Sequence, residues 1–337
     1  MGFPFGHVAG NANAQKPMTR ATKGHACAFL YSQLPSPSNR SVTSGSTPMP
    51  TLEDLKANHP EIRSDFTIDQ HWERYTPGEH GVWRTLFERQ SKVLPGRACS
   101  EFLDGLKRLE LVPDQIPDFE RASDKLEKIT GWRTVAVPSL VPDDIFFDHL
   151  ANKRFPVGQF IRRADQLDYI EEPDVFHDFF GHVPMLAHPV FADYMQAYGK
   201  GGQRALTEFG MLKNLARLYW YTVEFGLIEN GEGLRIYGSG IVSSRAESMY
   251  SVESPSPNRI YFDLERVMRT DYRIDDFQES YFVIRSFDDL FAATYQDFAP
   301  LYARLRSGGT YKPGDVLSTD RVQTRGTHTY VGGSHAA

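Results

Sequence analysis

The sequence predicts a mainly α-helical protein with a few short β-strands, and three observations support that prediction. Between residues 69 and 129, apolar side chains recur at intervals of three and four residues, as in amphipathic helices, and Pro-Gly turns separate the runs. Strand-like patterns are short and few. The chain has 337 residues, of which 40% are hydrophobic and 24% charged, so it can bury a sizeable core.

The order of elements follows from the same periodicity. Amphipathic helices are expected in four segments of the first part, namely 69–75, 79–90, 99–109 and 116–129. The run that begins at Trp132 predicts a short strand. Further helices are expected in 190–230 and 276–306, whereas 231–259 is rich in Gly, Ser and Pro and is expected to be mostly loop with one hairpin.

The two ends of the chain differ from its body in composition. Residues 1–50 contain four basic and no acidic residues and are rich in Ser, Pro and Gly, which predicts a disordered basic leader. The globular domain is expected to extend over 51–307, with a helical N-terminal part to about residue 130. Residues 308–337 are rich in Gly, Thr and Ser, and we expect them to form a C-terminal tail over the surface.

Composition also excludes several classes of partner. The net charge is −6 and no long basic run is present, so nucleic acid is not an expected partner. No stretch approaches the roughly 18 apolar residues of a membrane-spanning helix, and no membrane association is expected. The two cysteines cannot form a disulfide framework, which favours a reducing compartment and a cytoplasmic protein. We expect a monomer.

The segment 172–184, EPDVFHDFFGHVP, has the most informative pattern. His177 and His182 are five residues apart, which places them about 140° apart on an ideal α-helix. They are expected to converge if the helix ends between them, and Gly181 and Pro184 favour such an ending. Such a histidine pair is a weak signal by itself, because it arises readily by chance in a chain with eleven histidines.

A third ligand would make the pair a metal site. Glu224 is a lone carboxylate in a strongly apolar helical run, and metal binding offsets the cost of burying it. Two histidines and one carboxylate form the facial triad of non-haem Fe(II) oxygenases. The alternative is a surface carboxylate paired with a cation such as Arg217, and this sequence pattern leaves both interpretations open.

Three separated motifs carry a resemblance to a known family. In order and spacing, EPDVFHDFFGHVP, YWYTVEFGL (219–227) and YGSGIVSS (237–244) resemble the pterin-dependent aromatic amino acid hydroxylases, most of all their bacterial members. The resemblance spans roughly residues 65–298. It implies one catalytic domain whose iron and pterin site lies within 131–307. It also implies a monooxygenase that uses Fe(2+), O2 and tetrahydrobiopterin or a related tetrahydropterin to convert L-phenylalanine to tyrosine, in phenylalanine catabolism or tyrosine supply.

The resemblance assigns roles residue by residue. It makes the iron ligands His177, His182 and Glu224. It implies that Arg162 binds the substrate carboxylate, assisted by Ser243 near Gly240. It also implies that the substrate ring is bound by Pro173, Trp220 and Phe225. The pterin is assigned to Val141, Phe146, Asp178, Ala216 and Tyr219.

Two positions bear on the substrate. Ile274 stands where members acting on phenylalanine carry an apolar residue and those acting on tyrosine carry an aspartate, so the resemblance implies a preference for phenylalanine. Ile170 replaces a threonine of the animal members, which removes one hydrogen bond to the substrate carboxylate. A zinc hydrolase and a protein with a purely structural metal remain the alternatives, because His, His and Glu also bind Zn(II).

Overall fold

The computed structural model describes residues 51–168 and 172–330, so the predicted leader and Ile170 lie outside the described residues. No helix in these ranges is both long and apolar enough to cross a membrane. The mainly helical fold class is confirmed. Helices of the first part are α1 (Leu52–Lys56), α2 (Pro77–Val93), α3 (Ser100–Arg108) and α4 (Phe119–Thr130).

Local sequence signals explain where these helices begin and end. Thr76 and Glu79 form a capping box at the start of α2, and Pro77 occupies its first turn. Asp118 accepts backbone hydrogen bonds at the start of α4, which ends at Gly131 with a φ of 77°. The amphipathic pattern therefore predicted α2, α3 and α4 correctly. The helix expected over 69–75 was wrong, since that segment contains only a short 3-10 helix, Trp72–Arg74.

A parallel pair of strands follows the helical part. Strand β1 (Arg133–Val137) confirms the predicted short strand, and helix α5 (Asp143–Ala151) connects it to β2 (Arg154–Gly158). The two strands pair in parallel with Val135 opposite Pro156. Because a parallel pair requires a crossover, α5 lies across it and packs on the helix Pro189–Arg204.

The middle of the chain supplies the helices around the candidate site. Three of its segments are π-helical, with hydrogen bonds from residue i to i+5, and are called π1 to π3. These elements are π1 (Phe176–His182), α6 (Val183–Leu186), α7 (Pro189–Arg204), π2 (Ala205–Phe209), α8 (Leu212–Tyr219) and π3 (Trp220–Glu224).

The last part forms a five-stranded sheet and its covering helices. The elements are β3 (Leu227–Asn230), β4 (Gly233–Ile236), α9 (Ser239–Val242), α10 (Arg245–Glu253), β5 (Asn258–Tyr261), α11 (Leu264–Met268), β6 (Ser280–Ile284), α12 (Phe287–Thr294), α13 (Ala299–Ser307) and β7 (Val322–Thr324). Their order in the sheet is β4-β3-β6-β5-β7. Segment 308–330, predicted as a surface tail, thus contributes an edge strand.

Three expectations for this part were wrong. Residues 227–230 are strand β3 and not the end of a helical segment. Residues 280–284 are a strand and not part of a helix, because β6 is paired on both sides and all five of its residues are buried, so its sequence shows no alternation. Residues 245–253 are a helix and not a loop. Ser244 caps that helix, α10, and its buried face is largely polar, which conceals the apolar period.

Aromatic packing fixes the position of π1. Phe176 and Phe180 stack on each other with ring centroids 4.7 Å apart, and Phe176 meets the edge of Trp83 at 5.4 Å. On another side, Phe179 stacks on Phe119 at 5.3 Å. These ring contacts pack π1 against the N-terminal helices. They thereby fix the orientation of π1 and of the two histidines that it carries.

Candidate active site

His177 and His182 converge because the helix that carries them is wound as a π-helix. Their Nε2 atoms lie 3.3 Å apart, and both side chains are buried. The expected helix end between them is wrong, since π1 runs directly into α6 through Val183. An i to i+5 hydrogen-bonding pattern brings residues five apart onto one face, which an α-helix does not do.

Glu224 joins the two histidines from the end of π3. One carboxylate oxygen, Oε1, lies 3.3 Å from Nε2 of His182, and the other, Oε2, lies 3.7 Å from Nε2 of His177. Ser239 donates a hydrogen bond to Oε2 at 2.8 Å. Arg217, the alternative partner, instead forms an ion pair with Asp271. The three residues are the single group of potential metal ligands among the described residues.

The protonation of these groups fits a divalent cation. Burial lowers the pKa of His177 to about 4, against the attraction of Glu224, so the imidazole is neutral at pH 7. Burial alone would raise the pKa of Glu224, but the two imidazoles and Ser239 hold it below its ordinary value. Oε1 accepts no hydrogen bond of good geometry from any described residue. Two imidazoles and a carboxylate aimed at one point suit Fe(II).

Arg162 is held beside this group by Asp174. Its Nε and Nη2 atoms donate to the two carboxylate oxygens at 2.8 and 2.7 Å, and both side chains are buried. Asp174 also accepts from the backbone N–H of His177 at 3.0 Å. Burial opposes ionisation of Asp174, but Arg162 lowers its pKa to about 2. One carboxylate therefore orients the guanidinium and the first turn of π1 together.

Aromatic rings form one wall near Glu224. The indole of Trp220 lies between the rings of Phe225 and Tyr272, with centroid distances of 4.6 and 4.3 Å. Gly240 approaches this wall closely, since a Cβ atom there would lie 3.0 Å from Phe225 Cζ. Ile274 is partly buried against the core on the same loop as Tyr272.

A narrow cleft of about 30 Å³ brings together several predicted pterin residues. Val141, Phe146 and Asp178 line it, and so does Pro173, which was expected in the substrate wall. Asp178 accepts a hydrogen bond from Gly158 N at 2.8 Å, and burial raises the pKa of its carboxyl well above the ordinary value.

The other predicted pterin residues lie on α8. Tyr219 contacts the ring edge of Phe146 at 5.9 Å, and Ala216 is fully buried one turn earlier. The ring of Tyr219 is also 6.3 Å from that of His182, so α8 links the cleft to the histidines.

A much larger cavity, of about 620 Å³, lies between α7, α12 and α13. It contains none of His177, His182 and Glu224. We assign the active site by its chemistry and not by cavity size, because the ligand-bearing group lies elsewhere.

Sequence reasoning missed two contacts in this site. Ser243 was assigned to the substrate carboxylate, yet its Oγ lies 3.0 Å from Nδ1 of His177. Gln278 accepts a hydrogen bond from Nε1 of Trp220 at 2.8 Å and was not singled out. The first lies within the motif 237–244. The second joins residues 58 positions apart, and no local pattern marks it.

Comparison with known proteins agrees with this site. Residues 56–305 match the family described as biopterin-dependent aromatic amino acid hydroxylase. The phenylalanine-4-hydroxylase of Caulobacter vibrioides is 62% identical over 272 residues, covering 81% of this chain and 92% of the relative. That of Ralstonia nicotianae is 59% identical, covering 79% and 85%.

Solved structures agree as well. The phenylalanine hydroxylase of Chromobacterium violaceum with bound oxidised Fe(III) superposes with a TM-score of 0.77 at 56% identity, covering 81% of this chain and all of that one. Its iron- and phenylalanine-bound form gives a TM-score of 0.76 at 54% identity, with the same coverage. The family resemblance of the three motifs is confirmed, and the chain belongs to the biopterin-dependent aromatic amino acid hydroxylases.

Proposed function

We propose that the chain is a phenylalanine 4-monooxygenase that converts L-phenylalanine to L-tyrosine with O2 and a tetrahydropterin. The observation that carries this proposal is the buried group of His177, His182 and Glu224, which lies between an oriented arginine and an aromatic wall. The relatives named phenylalanine-4-hydroxylase align with this chain over most of their own length. The reaction serves phenylalanine catabolism or tyrosine supply.

The three ligands would hold Fe(II). When bound, the iron would supply the chemistry that activates O2, and a tetrahydropterin would supply the two electrons needed to reduce the oxygen atom that does not enter the substrate ring. The chain's own part is to fix the ligands. Ser239 holds Glu224 through Oε2, and Ser243 orients the ring of His177 through Nδ1.

The substrate is held at both of its ends. Arg162, oriented by Asp174, binds the amino acid carboxylate, because a guanidinium suits a planar anion. Trp220 and Phe225 receive the ring, and Ile274 faces its para end. Gly240, which has no side chain, lets the backbone lie directly against the ring of Phe225.

The pterin is held in the narrow cleft beside the iron. Phe146 and Val141 offer an apolar face to a flat heterocycle, with Tyr219 and Ala216 on the opposite side. Asp178, whose raised pKa favours a protonated carboxyl, lies where it can meet a polar ring edge. Pro173 closes the cleft from the side of the substrate.

The test compares two metals in one protein. Purified protein is loaded without O2 with Fe(II) or, as the control, Zn(II), and then receives tetrahydropterin, L-phenylalanine and isotopically labelled O2. We expect labelled tyrosine from the iron-loaded protein alone, because Zn(II) binds the same ligands but has no redox chemistry. Absence of tyrosine with iron, or equal activity with zinc, contradicts the proposal. Either result would favour the alternatives, a zinc hydrolase or a protein with a purely structural metal.

The proposal includes the oligomeric state, the location and the domain division of the protein. Large apolar side chains that are exposed among the described residues are few, namely Val112, Leu206 and Tyr295, which supports a monomer. The two cysteines support a cytoplasmic location. The division into leader (1–50), catalytic domain (51–307) and C-terminal segment (308–337) is part of the same proposal.

A further inference from the structure

The loop 271–279 joins α11 to β6 and carries two residues of the proposed substrate pocket. Tyr272 stacks on Trp220 with an angle of 16° between the rings, and Ile274 follows two positions later. The position of this loop relative to Trp220 therefore sets the distance between two walls of one pocket.

Stacking alone does not fix the indole of Trp220. The rings of Tyr272 and Phe225, tilted by 16° and 30° from it, restrict its tilt, but stacked rings slide in their plane at little cost. A directional contact in that plane is needed to stop the slide. The hydrogen bond from Trp220 Nε1 to Gln278 Oε1, at 2.8 Å, is such a contact.

The orientation of the Gln278 amide is also determined. An indole N–H only donates, so Oε1 must face Trp220. The other end, Nε2, donates to the carbonyl oxygen of Arg273 at 2.8 Å, within the same loop. Gln278 is 1% exposed, so water does not compete for either hydrogen bond. One buried amide thus joins the indole to the backbone next to Ile274.

The backbone of the loop is held from both sides. On the inner side, Glu247 of α10 accepts from Tyr281 OH and from Gln278 N, the latter at 3.5 Å. On the outer side, Tyr330 donates to Asp276 at 2.9 Å.

We propose that Gln278 is a positioning residue for the aromatic substrate, acting through Trp220 to hold the indole wall and loop 271–279 as one unit. This inference rests on the proposed function. A loose wall leaves the para carbon of the substrate misplaced with respect to the oxidant, while the separate pterin cleft is unaffected. Loss of Gln278 therefore weakens binding of the amino acid and lets pterin oxidation proceed without hydroxylation.

The main experiment replaces Gln278 by methionine, which has similar size and no hydrogen-bonding amide. We expect Gln278→Met to raise the KM for L-phenylalanine about tenfold, with the KM for tetrahydropterin unchanged, and to lower the ratio of tyrosine formed to pterin oxidised. The matched control is Gln70→Met. Gln70 also uses both ends of its amide, donating to Pro117 O and accepting from Phe119 N. These bonds are made at the start of α4 and not in loop 271–279, so their loss should lower Tm only.

Two further variants separate positioning from general stability. Gln278→Glu keeps an acceptor for the indole and should restore much of the KM, although it loses the donor to Arg273. Trp220→Phe removes the N–H and keeps an aromatic ring, so in the double variant with Gln278→Met the two effects on KM should not add. If Gln278→Met fails to fold, Gln278→Glu takes its place in the double variant with Trp220→Phe, and additive effects on KM again overturn the inference.

The outcomes distinguish this inference from the proposed function. Additive effects of the two substitutions, or an unchanged KM and coupling ratio in Gln278→Met, overturn the inference while tyrosine formation by the unchanged protein upholds the function. If no variant forms tyrosine, calorimetric binding of L-phenylalanine to iron-loaded protein provides the same comparison. Equal affinity of the unchanged protein and Gln278→Met then overturns the inference.

Discussion

The Oγ atom of Ser243 lies 3.0 Å from Nδ1 of His177 and 2.7 Å from the carbonyl oxygen of Ser239. A hydroxyl has one proton, and a carbonyl only accepts, so Ser243 donates to Ser239 and accepts from His177. Nδ1 therefore carries the ring proton, and Nε2 presents its lone pair toward His182 and Glu224. A single hydroxyl selects the tautomer that a metal requires.

Replacing Ser243 by alanine is expected to weaken iron binding about 10- to 100-fold, because the ring of His177 loses this orientation. The Kd for Fe(II) can be measured by competition with a chelator. Ser248→Ala is a matched control, since Ser248 is a buried serine that bonds to Ile241 O, Ser244 O and Gln90 and to none of the three candidate metal ligands. Unchanged iron binding with a raised KM for the amino acid would instead support the substrate-carboxylate role.

Replacing any one ligand, in His177→Ala, His182→Ala or Glu224→Ala, is expected to abolish tyrosine formation. The purified variant is also expected to contain no bound iron. Each substitution removes one of three donors from a site that has no fourth candidate among the described residues. Iron content and turnover are measured together, with circular dichroism to verify folding. Glu208→Ala, which removes an exposed ion pair with Arg204, is the control. Stoichiometric iron and normal turnover in any ligand variant would disprove the assignment.

Arg162→Lys should raise the KM for the amino acid far more than that for the pterin. Lysine keeps the charge, but its single nitrogen cannot bond both oxygens of Asp174 and retain the orientation of the fork. Steady-state kinetics with each substrate varied in turn provides the test. Arg163→Lys, at an exposed neighbour paired with Asp165, is the control. Equal effects on both KM values would indicate a structural role for Arg162.

Ile274 is expected to make the enzyme prefer phenylalanine. A phenol hydroxyl beside it finds no partner on that side chain, so we expect about 100-fold discrimination against tyrosine. Ile274→Asp offers a charged acceptor and should narrow the gap by at least about tenfold, because such a bond contributes about 1.5–3 kcal/mol. The measurement is kcat/KM for phenylalanine, tyrosine and tryptophan at saturating pterin. An unmodified protein that favours tyrosine or tryptophan would refute the substrate assignment alone.

Glu247 makes stability depend on pH. Burial raises its pKa to about 8, although Tyr281 opposes this, so the folded protein holds a proton that the unfolded chain releases near pH 4.5. Folding is therefore favoured at low pH, and that contribution is lost progressively as pH rises from about 4.5 to about 8, with a slope of at most about 1.4 kcal/mol per pH unit.

Glu247→Gln removes this titration. Urea unfolding at pH 6 and 8 should show the unmodified protein losing stability relative to the variant as pH rises. Parallel pH profiles for the two proteins would mean that Glu247 does not hold the proton.

Elements of the fold that depend on local sequence patterns could be predicted, and elements that depend on tertiary packing could not. Helices α2 to α4 follow from caps and periodicity, which are local, whereas β6 and α10 do not. Strand β6 is buried on both faces, and α10 buries a glutamate and two serines, so neither shows an apolar period.

The site divides in the same way. The motifs singled out all three residues of the candidate metal site, but the π-helical winding that brings His177 and His182 together cannot be deduced from their spacing in the sequence. The contact of Trp220 with Gln278 is a product of tertiary packing and has no counterpart in the local sequence.

The segment 322–330 also affects the order of folding. Strand β7 pairs with β5, His328 N donates to Ser256 O, and Tyr330 reaches Asp276 in loop 271–279. Tyr330 and Asp276 are 54 positions apart, so during synthesis the loop leaves the ribosome well before the segment that supplies its outer contact. The local hydrogen bonds of the loop can therefore form first, and the contact with Tyr330 is added later.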